Sequence, residues 1–346
     1  MIQSPQLEIK GLREFSARIG RNPLLTQASA GNTSVKLEGV LWIKASGKWL
    51  IQAERDEVFV AIDLALIQKC LRQNTELPAS CPTWSGELLP ASIETTMHAA
   101  LPHQVVIHVH SINTIAWAVR KDAPTHLAER LRGLPWQWIP YVPSGLPLAR
   151  EVETTFSRYS ASKIFVLGNH GLVIGGESCD VVENLLNEVE GRLAIRTRTA
   201  PEPDRARLTQ IADSSHWQLP EEEAIHALAT DVISQRILSG GILYPCQAIF
   251  LADSSPITSS SINGRPDQDR YRPFSLVDGS GVLLHKDITR ADREMLMGLT
   301  QVVQRIEPNA PMRYLTQGEL ETALNQDAYR YRQLAGSNLN YEFSMT

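Results

Sequence analysis

Two histidines one residue apart, His108 and His110, close the apolar run Val105-Val106-Ile107; Glu94 precedes them and an Asn169-His170-Gly171 turn follows. Side chains i and i+2 of a strand share a face, so His108 and His110 can offer two imidazoles to one divalent ion. His170 ends a second apolar run, residues 163–168, which reads as a strand delivering a third imidazole. Three protein ligands with one position left open is the catalytic arrangement for zinc, whereas structural zinc sites close the shell with four, often cysteines. A single histidine in an apolar strand is more often a hydrogen-bonded core residue, and His-x-His also occurs by chance. Four polar groups in apolar surroundings would be costly to bury without a shared partner, and that weighs for the metal. His98, four residues after Glu94, shares a helix face with it and is read as a supporting or packing residue.

The elements that must hold these groups are legible from periodicity. Residues 7–20 carry Leu7, Ile9, Leu12, Phe15 and Ile19 at helical spacing and end at Gly20. Residues 34–38 and 40–44 form a hairpin around Gly39, and 58–62 a further strand. A helix over 64–71 leads to a Pro- and Ser-containing loop reaching about Pro90, then a short helix over 94–101, and the His-x-His strand. A helix at 114–118, a proline-extended segment at 136–143 and a long helix over 181–198 complete a first unit. Residues 199–205 read as a linker, because their prolines and charges show no period. The remainder reads as a smaller α+β unit: a helix over 221–238, a break at Gly240-Gly241, a strand at 248–252, a loop through Ser254-Ser255-Pro256 and Ser259-Ser260-Ser261, a strand at 281–285 and two helices.

With 346 residues the chain exceeds one average domain. A net charge of -5 gives no global attraction for nucleic acid or anionic membrane, so an anionic substrate would need local donors. Cys70, Cys81, Cys179 and Cys246 are widely spaced with no Cys-x-x-Cys pair, which fits free thiols and a cytoplasmic protein. The start of the chain has neither a basic cluster nor a long apolar core, and no stretch reaches the ~20 apolar residues of a spanning helix.

Gly31-Asn32-Thr33-Ser34-Val35, Ala45-Ser46-Gly47, Pro90-Ala91-Ser92-Ile93-Glu94, His108-Val109-His110 and Asn169-His170-Gly171 occur in the order found in the class II aldolase/adducin family. The resemblance covers most of residues 7–198. The short connection between Glu94 and His108 is most similar to the aldolase module of rhamnulose-phosphate aldolase/dehydrogenase proteins and their stand-alone, fuculose-phosphate aldolase-like relatives. Residues 243–251 and 313–320 resemble the C-terminal extension of such relatives. No dehydrogenase glycine fingerprint is present, so only the aldolase half is implied.

The resemblance implies a three-layer α/β/α sandwich around a largely antiparallel sheet over residues 1–200, with a C-terminal α+β extension over 207–346. It implies a homotetramer with sites at subunit boundaries, and zinc (Zn2+, with Mn2+ or Co2+ as alternatives) on His108, His110 and His170. Glu94 would be the general base, and Tyr141, before Val142-Pro143-Ser144-Gly145, would match a tyrosine that protonates the aldehyde-side oxygen; a packing role beside Trp136 and Trp138 is the alternative. The ion would act as a Lewis acid on a ketone and its neighbouring hydroxyl while the carboxylate moves the proton. Amides of Gly31, Asn32, Thr33, Ser46 and Gly47, with the Ser46 and Ser92 hydroxyls and the Asn32 carboxamide, would cradle a phosphate. Lys48 could add charge there. Ile93 stands where sugar-phosphate aldolases often carry a second hydroxyl, which leaves an unphosphorylated hydroxy- or keto-acid as an alternative ligand. The expected activity is a metal-dependent aldolase acting on a small ketose phosphate or related hydroxy-keto compound. Epimerase, dehydratase and decarboxylase reactions share the scaffold, and a non-catalytic, adducin-like assembly module is the reading from another class. In the C-terminal unit, Tyr244 and the serine-rich loop are candidates for substrate contact.

Overall fold

The computed structural model describes residues 5–77, 89–213, 215–252, 272–324 and 326–337. Helix α1 (Pro5–Gly20) precedes a hairpin of β1 (Asn32–Leu37) and β2 (Val40–Lys44). The turn puts Glu38 and Gly39 at φ 48° and 81°, the paired left-handed geometry that matches strand twist in a tight hairpin. Strand β3 (Phe59–Asp63) leads into α2 (Leu64–Gln73), where the Asp63 carboxylate accepts from the amides of Ala65 and Leu66. Then follow α3 (Thr95–Ala100), β4 (Val105–Val109), α4 (Ile112–Ala118), α5 (Ala123–Arg130), β5 (Trp136–Ile139), α6 (Leu146–Arg158), β6 (Ile164–Leu167), β7 (Gly171–Gly176) and α7 (Cys179–Leu193).

The strands form one sheet in the order β3-β2-β1-β4-β7-β6-β5, antiparallel throughout except for the β5–β6 pair. Strict alternation divides it between two cores. Val105, Ile107, Val109, Ile164, Val166, Leu172 and Ile174 pack with α1, α4, α5 and α7, while Val106, Phe165, Leu167 and Val173 pack with α2, α3 and α6. This is the expected three-layer α/β/α sandwich around a largely antiparallel sheet.

Sequence reading missed α5 and α6. Both carry a proline in the first turn, Pro124 and Pro147, where no intrahelical donor is lost, so these prolines start helices instead of breaking them. Helix α7 begins earlier than expected, at the Ser178 cap, and stops at Leu193; Ala194 turns extended and the Ile195 amide donates to Asn113 Oδ1.

The C-terminal region contains α8 (Arg205–Asp213), β8 (Trp217–Gln218), α9 (Ala227–Thr230), α10 (Val232–Ser239), α11 (Pro245–Gln247), β9 (Phe274–Val277), β10 (Gly281–His285), α12 (Arg290–Arg305), α13 (Gln317–Ala323) and α14 (Gln326–Ser337). Its strands form a small antiparallel sheet, β8-β10-β9. The helix expected over 221–238 is broken at Asp231, whose carboxylate caps α10 through the Ile233 amide and pairs with Arg198 at 2.6 Å. The strand expected at 248–252 is helical. Five apolar residues fix no period, and Pro245 at the helix start sets the backbone that Ala248, Phe250 and Leu251 continue. The serine-rich loop lies outside the described residues, as do Cys81 and most of the loop before Pro90. Cys70, Cys179 and Cys246 are free thiols. No helix among the described residues is long and apolar enough to cross a membrane. One core runs from Ile112, Ile115 and Val119 of α4 and Trp49 into Leu243, Phe250, Leu296, Leu299 and Ala335, so the C-terminal region packs directly against the sandwich.

Candidate metal centre

Strand β4 carries His108 on the face shared with Val106, and its register against β7 sets His108 opposite Val173. His108 Nδ1–H donates to the Leu172 carbonyl at 3.1 Å, which leaves Nε2 as a lone pair aimed inward. His110, just beyond the strand, brings Nε2 to 3.1 Å from His108 Nε2. His170 comes from the β6–β7 turn, where Asn169 takes a left-handed φ of 51°. The ligand nitrogens of His108, His110 and His170 lie within 4.8 Å of one another, and all three residues are buried.

Burial pulls His108 down to about 4 and His110 well below the ordinary imidazole range, so both are neutral at pH 7, as a metal ligand must be. The set therefore fits a divalent ion: three buried imidazoles, one with its outer N–H anchored, whose ligand nitrogens gather beside a carboxylate.

That carboxylate is Glu94, at the N-cap position of α3. Its Oε1 lies 3.4 Å from His108 Nε2 and 3.3 Å from His170 Nε2. Its Oε2 accepts from Asn32 Nδ2 at 2.7 Å. Burial alone would raise the Glu94 carboxyl, but the His108 and His170 imidazoles outweigh it and hold the group well below the usual range. Asn32 also joins Glu94 to His98: the Asn32 Oδ1 meets His98 Nε2, and His98 Nδ1 meets Ser34 Oγ at 2.7 Å. His98, fully buried and pulled down to about 3, is thus a supporting residue, as read from sequence.

The residues expected to cradle an anion are placed unequally. Ser92 Oγ accepts from the Glu94 amide at 3.2 Å and from Asn32 Nδ2 at 3.3 Å, so it belongs to the network around Glu94. Thr33 turns away: its hydroxyl meets Ser16 Oγ at 2.6 Å on the opposite face of the sheet. Gly31 packs against β4, where a Cβ would stand 2.8 Å from the His108 carbonyl oxygen. The Ser46 amide donates to the Pro90 carbonyl, and Gly47 packs against Leu334 of α14. Beneath this turn Lys44, pulled down to about 7 by burial, donates to the carbonyls of Ser29 and Lys48 at 2.7 and 2.6 Å.

Tyr141 is half-buried against Ile242, Ala248, Leu315 and Leu320, with the Arg313 guanidinium 5.1 Å from its ring centre. Burial pushes its phenol up to about 12. Several contributors escaped sequence reading. Cys246 Sγ lies 3.6 Å from His110 Nδ1, and Asn169 Nδ2 donates to the carbonyls of Leu243 and Arg313 at 2.8 Å each, pinning the turn that presents His170. Tyr331 of α14, half-buried, lies near the same thiol, as does the buried Tyr244 that the sequence offered as a candidate for substrate contact, and burial raises both phenols. The resemblance of 243–251 and 313–320 to a known extension was the one available signal.

A seven-stranded sandwich with a buried three-histidine cluster beside a carboxylate makes this an α/β protein with a candidate metal site. Residues 14–196, more than half of the chain, match the Class II Aldolase and Adducin N-terminal domain, and the chain belongs to that family. It is 28% identical over 193 residues to the uncharacterized oxidoreductase YuxG of Bacillus subtilis (strain 168), a match covering 49% of this chain and 27% of that relative. The chain thus spans about a quarter of the length of that curated relative. Among solved structures, the N-terminal class II aldolase domain of a conserved protein from Thermoplasma acidophilum is 23% identical, with a TM-score of 0.48 and coverage of 56% of this chain and 95% of that one. A sugar-phosphate aldolase from Thermotoga maritima is 16% identical, with a TM-score of 0.42 and coverage of 54% and 94%.

Proposed function

We propose that this chain is a zinc-dependent lyase that cleaves or forms a carbon–carbon bond in a small hydroxy-keto compound. The carrying observation is the Glu94 carboxylate set 3.3–3.4 Å from two imidazole nitrogens of the three-histidine cluster. An ion held by His108, His110 and His170 would supply Lewis-acid stabilisation of the negative charge that bond cleavage leaves on the ketone fragment. Three imidazoles suit zinc, with manganese or cobalt as substitutes set by supply.

Glu94 acts as the base. Asn32 holds one of its oxygens and leaves the other facing the reacting side, so the carboxylate moves a proton from a fixed position. Tyr141 stays protonated across the physiological range, so in the bond-forming direction its hydroxyl donates a proton to the aldehyde oxygen as that oxygen becomes an alcohol, and in cleavage the same proton returns from the alcohol to Tyr141. The Leu172 carbonyl and Cys246 orient the rings of His108 and His110. We read residues 1–200 as the catalytic unit and 207–346 as an extension that walls the site, in a homotetramer.

Elemental analysis of the purified chain, with a metal-depleted and reconstituted sample tested on ketoses and ketose phosphates for aldehyde release, tests this reading. About one zinc per chain with metal-dependent release supports it. Metal without cleavage points to epimerase, dehydratase or decarboxylase chemistry, and a chain that takes up no metal points to an assembly module.

A further inference from the structure

We propose that the substrate carries no phosphate ester, because helix α14 fills the donor-rich cradle that a phosphate would need. The proposal rests on the reaction above and narrows its substrate to an unphosphorylated hydroxy-keto compound.

The cradle consists of the turn at Ser46-Gly47, the start of β1 and Ser92. Helix α14 lies against its Ser46-Gly47 turn. Leu334 packs on the Gly47 Cα so closely that a methyl group on that glycine would overlap it. The indole N–H of Trp49, two residues on, donates to the Ala335 carbonyl at 3.2 Å. One turn earlier Tyr331, half-buried, lies beside the Ser29 hydroxyl, its ring edge-on to Phe250 at 5.7 Å between centres. Arg332 fastens the helix from its other side, pairing with the buried Asp292 at 3.1 Å and donating to the Ile249 carbonyl at 3.3 Å.

Two of the donors a phosphate would use, the Ser46 amide and the Asn32 carboxamide, are engaged elsewhere. The Ser46 amide serves Pro90 and the Asn32 carboxamide serves Glu94 and Ser92, while Ser92 Oγ, held by bonds from Glu94 and Asn32, keeps its O–H. Electrostatics point the same way. The end of α14 that meets Gly47 and Trp49 is its C-terminus, the partly negative end of the helix dipole, and its last turn holds no basic residue. Lys44 directs its ammonium to two backbone carbonyls, and Arg290, which lies over the Trp49 ring, pairs with Glu294 at 3.1 Å. A dianion here would meet a leucine side chain and a helix carbonyl end. Ile93, half-exposed in place of a second hydroxyl, fits the same loss.

The test is calorimetric titration of the zinc-loaded full-length chain with glycolohydroxamate, a flat mimic of an enediolate, and with its phosphate ester. The expected result is that glycolohydroxamate binds and the ester binds at least about ten-fold more weakly, the scale on which a pocket rejects a group it cannot house. An ester that binds as tightly or more tightly overturns the inference while leaving the reaction standing. Binding of neither overturns the proposed reaction and this inference with it. Leu334→Ala, which opens space over Gly47, should shift the affinity ratio toward the ester by about ten-fold; an unchanged ratio overturns α14 as the excluding element.

Discussion

Replacing Asn32 by Ala removes the one side chain among the described residues that joins Glu94 to His98. Its carboxamide donates to Glu94 Oε2 at 2.7 Å and accepts from the buried His98 ring. A hydrogen bond to a charged group contributes about 1.5–3 kcal/mol, and a buried donor left without a partner costs about 1–3 kcal/mol more. The expected loss is therefore about 2.5–6 kcal/mol, a large part of the roughly 5–15 kcal/mol available to a folded domain. Denaturant unfolding of native and variant chains, followed with a chelator present so that metal binding does not enter, measures it. Asn32→Asp is the control, since it keeps the shape but sets a second carboxylate against Glu94. Two carboxylates so close cannot both ionise, so the folded variant holds an extra proton that the unfolded chain releases. A folded pKa raised in this way gives stability that is present at low pH and lost as pH rises through neutrality. A loss below about 1 kcal/mol for the alanine variant, or a flat response of the aspartate variant between about pH 5 and 8, would refute the network as drawn.

His170→Ala leaves two imidazoles and should abolish the zinc-induced thermal shift, which at zinc a thousand-fold above Kd corresponds to about 4 kcal/mol in the native chain; a shift retained in full removes His170 from the ligand set. Glu94→Gln should keep its zinc by elemental analysis and lose turnover by about a hundred-fold or more, the usual share of a positioned base. Burial pulls Lys36 and Lys44 down to about 7, so above neutrality the unfolded chain keeps protons that the folded one has released. Unfolding then takes up protons and stability rises with pH, by about 1–2 kcal/mol per lysine between about pH 7 and 8.5. The window ends there because the thiols of half-buried Cys179 and buried Cys246, pushed up to about 12, carry the opposite sign at higher pH. Denaturant titrations across that window check it, with Lys36→Met expected to flatten the slope; a native stability that falls there contradicts the burial of both amines.

Much of the sandwich is legible in the amino-acid sequence, because its signals are local. The alternation around His108, the left-handed Glu38-Gly39 turn and the spacing of Leu12, Phe15 and Ile19 all lie within a few residues, and backbone geometry converts such spacing directly into faces. The local signal fails where it is too short or has two readings. Residues 248–252 have no period to choose helix over strand, and a proline has two readings: the prolines of 136–143 mark extended chain, whereas Pro147, for which the sequence offered no expectation, stands in the first turn of α6.

The metal-ligand candidates are likewise nameable from residue type and order, since two of the three are two residues apart and the third closes a recognisable turn. What surrounds them is not. Asn32 meets Glu94 across 62 residues, Cys246 reaches His110 across 136, and Trp49 donates to Ala335 across 286. No periodicity encodes such pairs. They follow from how β1 registers against β4 and from where the C-terminal helices bury their apolar faces, which depends on every other packing choice in the chain. Sequence alone therefore determined which atoms stand ready for chemistry, while only tertiary packing decided that a helix more than 280 residues away closes over the turn expected to hold an anion.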